Sequence, residues 1–339
     1  MSTPIQADAS QQLSLVLGVN GQDGSYLAEA LIALGRQVIG VGRQEFSKYI
    51  KDSEYFTYRQ LDIADTQELV IFLDELSPTK IYHVAAIHGA AGFKYEDKWM
   101  DTHSVTTLSV HAILEYLRLK GAGSLIYTSS SKAFGESPPP IVSENTKRIS
   151  SCIYSIAKNS ATDLIHYYRA KYGVCASVLW TFNHESPRRG IEYFIPKIVN
   201  CLANALKNPG HKTEVFTLNF YADWSDACEL MNIAISVSDR DLPEDFIFAS
   251  GNTVFARDFV SHLFSKFGLD YRNHIIEENY SEATLSKWNA DISKMRSVLE
   301  CSPKISIFET CYQILLDNYG YDSTDYLSVR DLNNPNIKA

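Results

Sequence analysis

No apolar stretch of the 339-residue chain reaches the ~18 residues that a membrane-spanning helix requires, and residues 1–12 lack the apolar core of an export signal. Positive charge is also in deficit. Thirty-one Lys and Arg face 40 Asp and Glu, a net charge of −9 without a basic stripe, which argues against nucleic acid or an anionic membrane as partner. The six cysteines contain no C-x-x-C pair, so no disulfide framework is expected and reduced thiols in a cytoplasmic protein are. Internal repeats and low-complexity linkers are absent as well. What remains is ordinary globular composition, 45% hydrophobic and 21% charged, which excludes wholesale disorder. The length suits two domains, or one large α/β unit with an appendage.

Short apolar runs at 13–18, 37–42, 56–62, 80–85, 124–128 and 175–181 alternate with helix-period segments at 25–34, 66–76, 100–119 and 155–172. That rhythm predicts βαβ units and a doubly wound parallel sheet of the Rossmann kind over residues 13–186. Beyond Pro187 the pattern changes to helices near 194–206, 224–237, 256–267 and 305–319 with short strands at 214–218 and 246–249. A smaller α+β lobe is expected over 187–321, followed by a polar tail at 322–339.

The first strand runs into Gly18-Val19-Asn20-Gly21-Gln22-Asp23-Gly24 just before a helical pattern. Glycines let backbone approach a pyrophosphate, and the helix N-terminus presents free N–H groups and a positive dipole end. The spacing is G-x-x-G-x-x-G, a modified form of the dinucleotide fingerprint. Where the second strand ends, an acidic residue would favour NAD and an Arg the 2′-phosphate of NADP. Here Gly42-Arg43 stands, followed by Glu45, so NADP is expected and NAD remains possible. Asp62, before Ile63, is a candidate contact to the adenine amino group.

Four Tyr-x-x-x-Lys pairs occur among the 20 tyrosines, but one of them, Tyr154/Lys158, opens a helix after a Ser-rich strand end. Four residues apart on a helix places both side chains on one face. A neighbouring ammonium favours phenolate, which suits Tyr154 to exchange a proton with a substrate hydroxyl. Upstream, Thr128-Ser129-Ser130-Ser131 ends the fifth strand, and Ser130 is the candidate to hydrogen-bond the reacting oxygen, with Ser129 and Ser131 as rivals.

Together these residues resemble the extended short-chain dehydrogenase/reductases, and within them the GDP-mannose 4,6-dehydratase family. Gly18-Val-Asn-Gly-Gln-Asp-Gly-Ser-Tyr-Leu-Ala-Glu29, Tyr154-Ser-Ile-Ala-Lys158, Phe182-Asn-His-Glu-Ser-Pro-Arg-Arg-Gly190, the Ala85-Ala86 pair and Asp223-Trp224 carry the likeness, which spans roughly residues 13–224. The resemblance implies a cofactor-binding Rossmann domain, a lobe for a nucleotide-sugar (a GDP-sugar foremost) and a cytoplasmic homodimer or homotetramer. It also implies oxidation of the sugar at C4. In the dehydratases a carboxylate then removes the C5 proton before the 6-hydroxyl leaves.

Counting back from Phe134-Gly135 puts Lys132 where that carboxylate, a Glu, belongs. An ammonium does not abstract a proton unless burial strips its own. Arg is absent before Asp223-Trp224, where Ala222 stands, and the later Arg-Pro-x-Glu segment is missing near Ser281. His88, Asn183, Arg188, Lys197 and Arg257 remain as candidate substrate contacts. His88, His103 and His184 lack metal-ligand spacing, so no metal is expected. Three readings stay open: a nucleotide-sugar 4,6-dehydratase, an epimerase or 4-ketoreductase that omits elimination, and a non-catalytic cofactor-binding protein.

Overall fold

Strand β1 (Leu13–Leu17) is buried from Ser14 onward on both faces, as a central strand of a parallel sheet must be. The structure, a computed structural model, describes residues 12–90, 92–240, 242–280 and 287–322. After β1 the chain continues through α1 (Gln22–Ala33), β2 (Gln37–Gly42), β3 (Phe56–Gln60), α2 (Thr66–Leu76), β4 (Lys80–His83), α3 (Trp99–His103), α4 (Ser109–Lys120) and β5 (Ser124–Ser130). Then come β6 (Ile141–Val142), α5 (Ile153–Tyr172), β7 (Cys175–Thr181), β8 (Asn183–Glu185), α6 (Phe194–Lys207), β9 (Thr213–Val215) and β10 (Tyr221–Asp226). The remaining elements are α7 (Ala227–Ser238), β11 (Phe246–Phe248), β12 (Thr253–Phe255), α8 (Ala256–Lys266), β13 (Ile275–Glu277), β14 (Asn289–Ala290), α9 (Ser293–Leu299) and α10 (Ile307–Tyr319).

Seven strands form the main sheet in the order β3-β2-β1-β4-β5-β7-β11. The first six are parallel throughout. The expected Rossmann architecture is therefore present. Strand order reverses between β1 and β4, and ligands bind beyond the carboxyl ends of the strands at such a switch point. Here the two strand ends touch: a β-carbon on Gly18 would lie 2.8 Å from Ala85 Cα.

Helix α1 starts at Gln22 rather than near residue 25, so Gly24 lies within its first turn. A β-carbon there would sit 2.3 Å from the Gly18 carbonyl oxygen and 2.7 Å from Val19 Cα. Alanine normally gains about 1 kcal/mol over glycine within a helix. At this position the clash is with backbone, which cannot step aside as a flexible side chain would. Gly24→Ala is thus expected to lower the unfolding midpoint by about 3 °C or more, measured by thermal melting. A raised midpoint would show that helix propensity outweighs the contact.

Two other elements differ from expectation. The single helix predicted over 100–119 is α3 and α4 joined by a π-helical turn, Ser104–Leu108. There the Ser109 hydroxyl donates to Val105 O at 2.6 Å, and Thr107 Oγ1 donates to Ala157 O of α5 at 3.1 Å. The Ser109 bond competes with the regular helical ladder. Trp224 lies in β10 rather than opening a helix, because Asp226 provides the start instead: its carboxylate accepts the Glu229 N–H at 2.9 Å.

The chain divides into two compact units, each discontinuous in sequence. Among the described residues, unit 1 comprises 12–136, Lys147–Thr181 and Met231–Phe246, and unit 2 comprises Ser137–Thr146, Phe182–Leu230 and 247–322. Sequence places one crossing at residue 187 and does not reveal the two exchanged segments. Polar bonds far apart in sequence explain them. In unit 1, Arg36 forks onto Asp239 at 2.8 and 2.6 Å, Lys80 bonds Ser238 O, and Arg169 forks onto Asp245 at 2.9 and 2.7 Å. In unit 2, Glu144 accepts the Ile247 N–H at 2.9 Å and β6 pairs with β14. The predicted polar tail lies outside the described residues save for Asp322.

Unit 2 mixes helices with short strands. It holds a three-stranded sheet, β12-β10-β8, and two strand pairs, β13-β9 and β14-β6. Its core gathers α6, α8 and α10 around Trp224, which is 4% exposed and stacks on Phe194 with ring centroids 5.6 Å apart.

Candidate active site

Unit 1 carries the proton-transfer and cofactor candidates. Strand β5 ends at Ser130, and pleating separates the rival hydroxyls. Ser129 is 2% exposed and its Oγ finds no hydrogen-bond partner, whereas Ser130 is half-buried and accepts the Lys132 N–H at 3.3 Å. Ser130 therefore remains the candidate hydroxyl. Lys132 sits in the single 3₁₀ turn Ser131–Phe134 and is exposed.

Tyr154 and Lys158 occupy the first two turns of α5, and both are buried. The Lys158 Nζ donates to Thr128 O at 2.6 Å and lies 5.7 Å from the Tyr154 ring centroid, so the predicted pair shares one face of the helix. Burial pulls the Lys158 ammonium down to about 7, and the Asp23 carboxylate of the glycine loop opposes that fall. The lysine is thus an ammonium that loses its proton readily.

Three neighbours of this pair escaped the sequence reading. Tyr127 lies under Lys158, its ring centroid 4.8 Å from Nζ, and burial holds its phenol well above the ordinary range. His83 packs edge-on against Tyr127, with ring centroids 5.6 Å apart. Burial first, and then the Lys158 charge, hold His83 down to about 3. Its Nε2 lies 2.8 Å from Ser109 Oγ. Since that hydroxyl donates to Val105 O, Nε2 carries the hydrogen and donates to Ser109. The third neighbour is Tyr95, stacked on Tyr154 at 5.4 Å, with His88 edge-on to the same ring at 5.1 Å. Parallel register pairs His83 with Tyr127, so aligning the ends of β4 and β5 could have found those two. Tyr95 lies in a single 3₁₀ turn without any periodic signal.

The glycine loop, residues 18–24, closes on itself through a Gly21 N–H to Gly18 O bond of 2.9 Å and starts α1 with Gly21 as an extended N-cap. Gly21 has no side chain, so the N-cap residue itself supplies no side-chain hydrogen bond to the start of α1. Together with the close approaches at Gly18 and Gly24, that makes a backbone cradle suited to a pyrophosphate. Gln22 is 8% exposed and its amide donates to Asp23 at 3.1 Å. Arg43, just after β2, is exposed and uses its carbonyl to accept from Gln60 at 2.9 Å. Asp62 accepts the Ala64 N–H at 3.0 Å in a turn, and α2 is capped by Asp65 instead. Ile63 is buried; Ala85 is half-buried and Ala86 exposed beyond β4.

Four candidate substrate contacts belong to unit 2. Asn183 opens β8 and is exposed; Arg188 follows it, its N–H donating to Ser186 Oγ at 3.1 Å; Lys197 lies in the first turn of α6. Arg257 forks onto Glu277 at 2.9 and 3.0 Å with its guanidinium 5.0 Å from the Tyr280 ring centroid. Both terminal nitrogens of Arg257 are thus engaged inside the unit. Among the described residues no cluster of three or more His, Cys, Asp or Glu side chains could hold a metal ion.

Comparison with known proteins places the chain among nucleotide-sugar enzymes. GDP-mannose 4,6 dehydratase 1 of Arabidopsis thaliana is 28% identical over 91% of this chain and 89% of its own length. GDP-mannose 4,6-dehydratase of Vibrio cholerae is 26% identical over 90% and 93%. Among solved structures, dTDP-glucose 4,6-dehydratase from Bacillus anthracis, in complex with NAD, superposes with a TM-score of 0.76 at 18% identity, covering 91% of this chain and 98% of that one. UDP-glucose 4-epimerase from Thermotoga maritima, with UDP-glucose, gives 0.75 at 19%, covering 90% and 97%. These likenesses establish the shared fold. The family profile described as GDP-mannose 4,6 dehydratase matches residues 15–314, and the chain accordingly belongs to that family of extended short-chain dehydrogenase/reductase enzymes.

Proposed function

We propose that this chain is an NADP-dependent enzyme that oxidises a nucleotide-sugar, a GDP-sugar foremost, at C4 and returns the hydride without an intervening elimination. The observation that carries the redox half is the buried Lys158 ammonium, bonded to Thr128 O on the face of α5 that also bears Tyr154. A nicotinamide, when bound, supplies the hydride acceptor. Tyr154, as the phenolate that the Lys158 ammonium stabilises, takes the proton of the sugar hydroxyl and becomes a phenol while the hydride leaves C4, and Ser130 hydrogen-bonds the same oxygen. Gly18, Gly21 and Gly24 hold the pyrophosphate, and Arg43 meets the 2′-phosphate. Asn183, Arg188 and Lys197 offer donors for the nucleotide-sugar. The non-catalytic reading fits less well, since a binding protein has no use for a buried lysine beside Tyr154. Cytoplasmic residence and a homo-oligomer belong to the same reading; among the described residues no helix is long and apolar enough to cross a membrane.

Omission of elimination rests on Lys132, an exposed side chain where a dehydratase has its carboxylate base. Family membership favours the second reading, a 4,6-dehydratase, in which another group removes the C5 proton. Mass spectrometry of products from a panel of nucleotide-sugars separates them. An epimer of unchanged mass, separated from the substrate by chromatography, supports the first reading, and a product lighter by one water supports the second. Lys132→Glu is expected to create or raise water loss from GDP-mannose by at least about tenfold, within the range of a general base. Efficient release of a 4-keto-6-deoxy sugar by the wild type would overturn the reading of Lys132.

A further inference from the structure

We propose that Asn20 is a specificity-determining positioning residue: from within the glycine loop it shapes the segment after β2 that admits a 2′-phosphate on the adenosine ribose. The inference rests on the NADP reading above and names what enforces it. The Asn20 carboxamide makes three good hydrogen bonds, all to residues 44–48. Its Nδ2 donates to Gln44 Oε1 and to Phe46 O, each at 3.0 Å, and its Oδ1 accepts the Lys48 N–H at 2.8 Å. Both amide hydrogens and one lone pair are consumed. Two further bonds hold the same segment from β3: Tyr58 Oη donates to Gln44 O at 2.5 Å, and Gln60 Nε2 to Arg43 O at 2.9 Å.

Apolar burial does not give this segment its shape. Residues 43–46 are exposed, Phe46 at 71%, and no helix or strand runs through them. An exposed loop that spends five side-chain bonds on its conformation is preorganised for something. It carries two cations, Arg43 and Lys48, and one anion, Glu45, and neither cation forms an ion pair among the described residues. A cation held beside the end of β2 without an ion-pair partner suits a dianion at the ribose 2′ position. NAD and NADP are identical at the pyrophosphate and differ there. Asn20 joins the two regions covalently and by hydrogen bonds, since it is part of the pyrophosphate loop and its side chain fixes the ribose-side segment. Removing the carboxamide frees that segment while leaving the glycine backbone intact.

Equilibrium titration of NADPH and NADH by fluorescence on the full chain tests this without turnover. Wild type is expected to bind NADPH more tightly, and Arg43→Ala to lose that preference. Asn20→Ala is expected to reduce the NADPH-over-NADH ratio by about tenfold while NADH affinity changes by less than about threefold. Gln44→Ala, which removes one of the Asn20 bonds from outside the glycine loop, is expected to reduce the ratio in the same direction and carries the test should Asn20→Ala fail to fold. If wild type shows no preference for NADPH, the NADP reading falls and this inference with it. If wild type and Arg43→Ala behave as expected but the ratio survives in both Asn20→Ala and Gln44→Ala, the inference alone is overturned.

Discussion

Tyr154→Phe is expected to lower substrate-dependent reduction of the cofactor by about a thousandfold, the scale of a positioned general base, while leaving cofactor affinity within about twofold. The substitution removes one oxygen and keeps the ring that Tyr95 and His88 pack against at 5.4 and 5.1 Å. Fold and cradle are therefore preserved, and the loss reads on proton transfer alone. Single-turnover absorbance at the nicotinamide band, with an equilibrium cofactor titration beside it, makes the measurement. Turnover within tenfold of wild type would remove Tyr154 from its assigned role.

Lys158→Met should abolish turnover to a similar degree and, in the same protein, raise thermal stability. The two effects share one cause. The amine is 1% exposed, and burial depresses it from its ordinary value to about 7. The unfolded chain keeps it charged up to about 10.4. At pH 6 both states hold the proton, so folding bears the whole cost of burying the ammonium. As pH rises past 7 the folded amine becomes neutral while the unfolded one still binds its proton, and the cost shrinks until both are neutral. Methionine fills similar volume without that cost. The variant's melting midpoint is expected to exceed the wild type's by about 3 °C or more at pH 6, with a smaller gap at pH 9.5. A gap that widens with pH would mean that Lys158 is not held in a charge-disfavouring site.

Much of this protein was legible along the chain because the relevant forces are local. Strands β2 and β7 and helix α2 appear at the predicted residues, since apolar runs bounded by turn residues, or an apolar period ended by Ser77, need no distant partner to be recognised. Gly18 to Gly24 and the i, i+4 pair Tyr154/Lys158 are motifs for the same reason: their geometry is that of one turn or one helix face. A boundary failed where a side chain competed with the backbone ladder, as Ser109 does by donating to Val105 O in the π turn. Asp226 likewise moved a helix start by donating nothing and accepting the Glu229 N–H.

The amino-acid sequence by itself determined the alternation of elements, the glycine loop and the placing of Tyr154 and Lys158 on one face of α5. Only the tertiary structure decided what surrounds them: which chain segments join which unit, that Tyr127 and His83 lie beneath Lys158, that Arg257 is engaged by Glu277, and that Asn20 reaches residues 44–48. The physical reason is range. Backbone preference and helical spacing act within a few residues and are written in consecutive letters. Burial and long-range hydrogen bonds depend on strand order and register, which bring together groups that nothing in their local sequence connects.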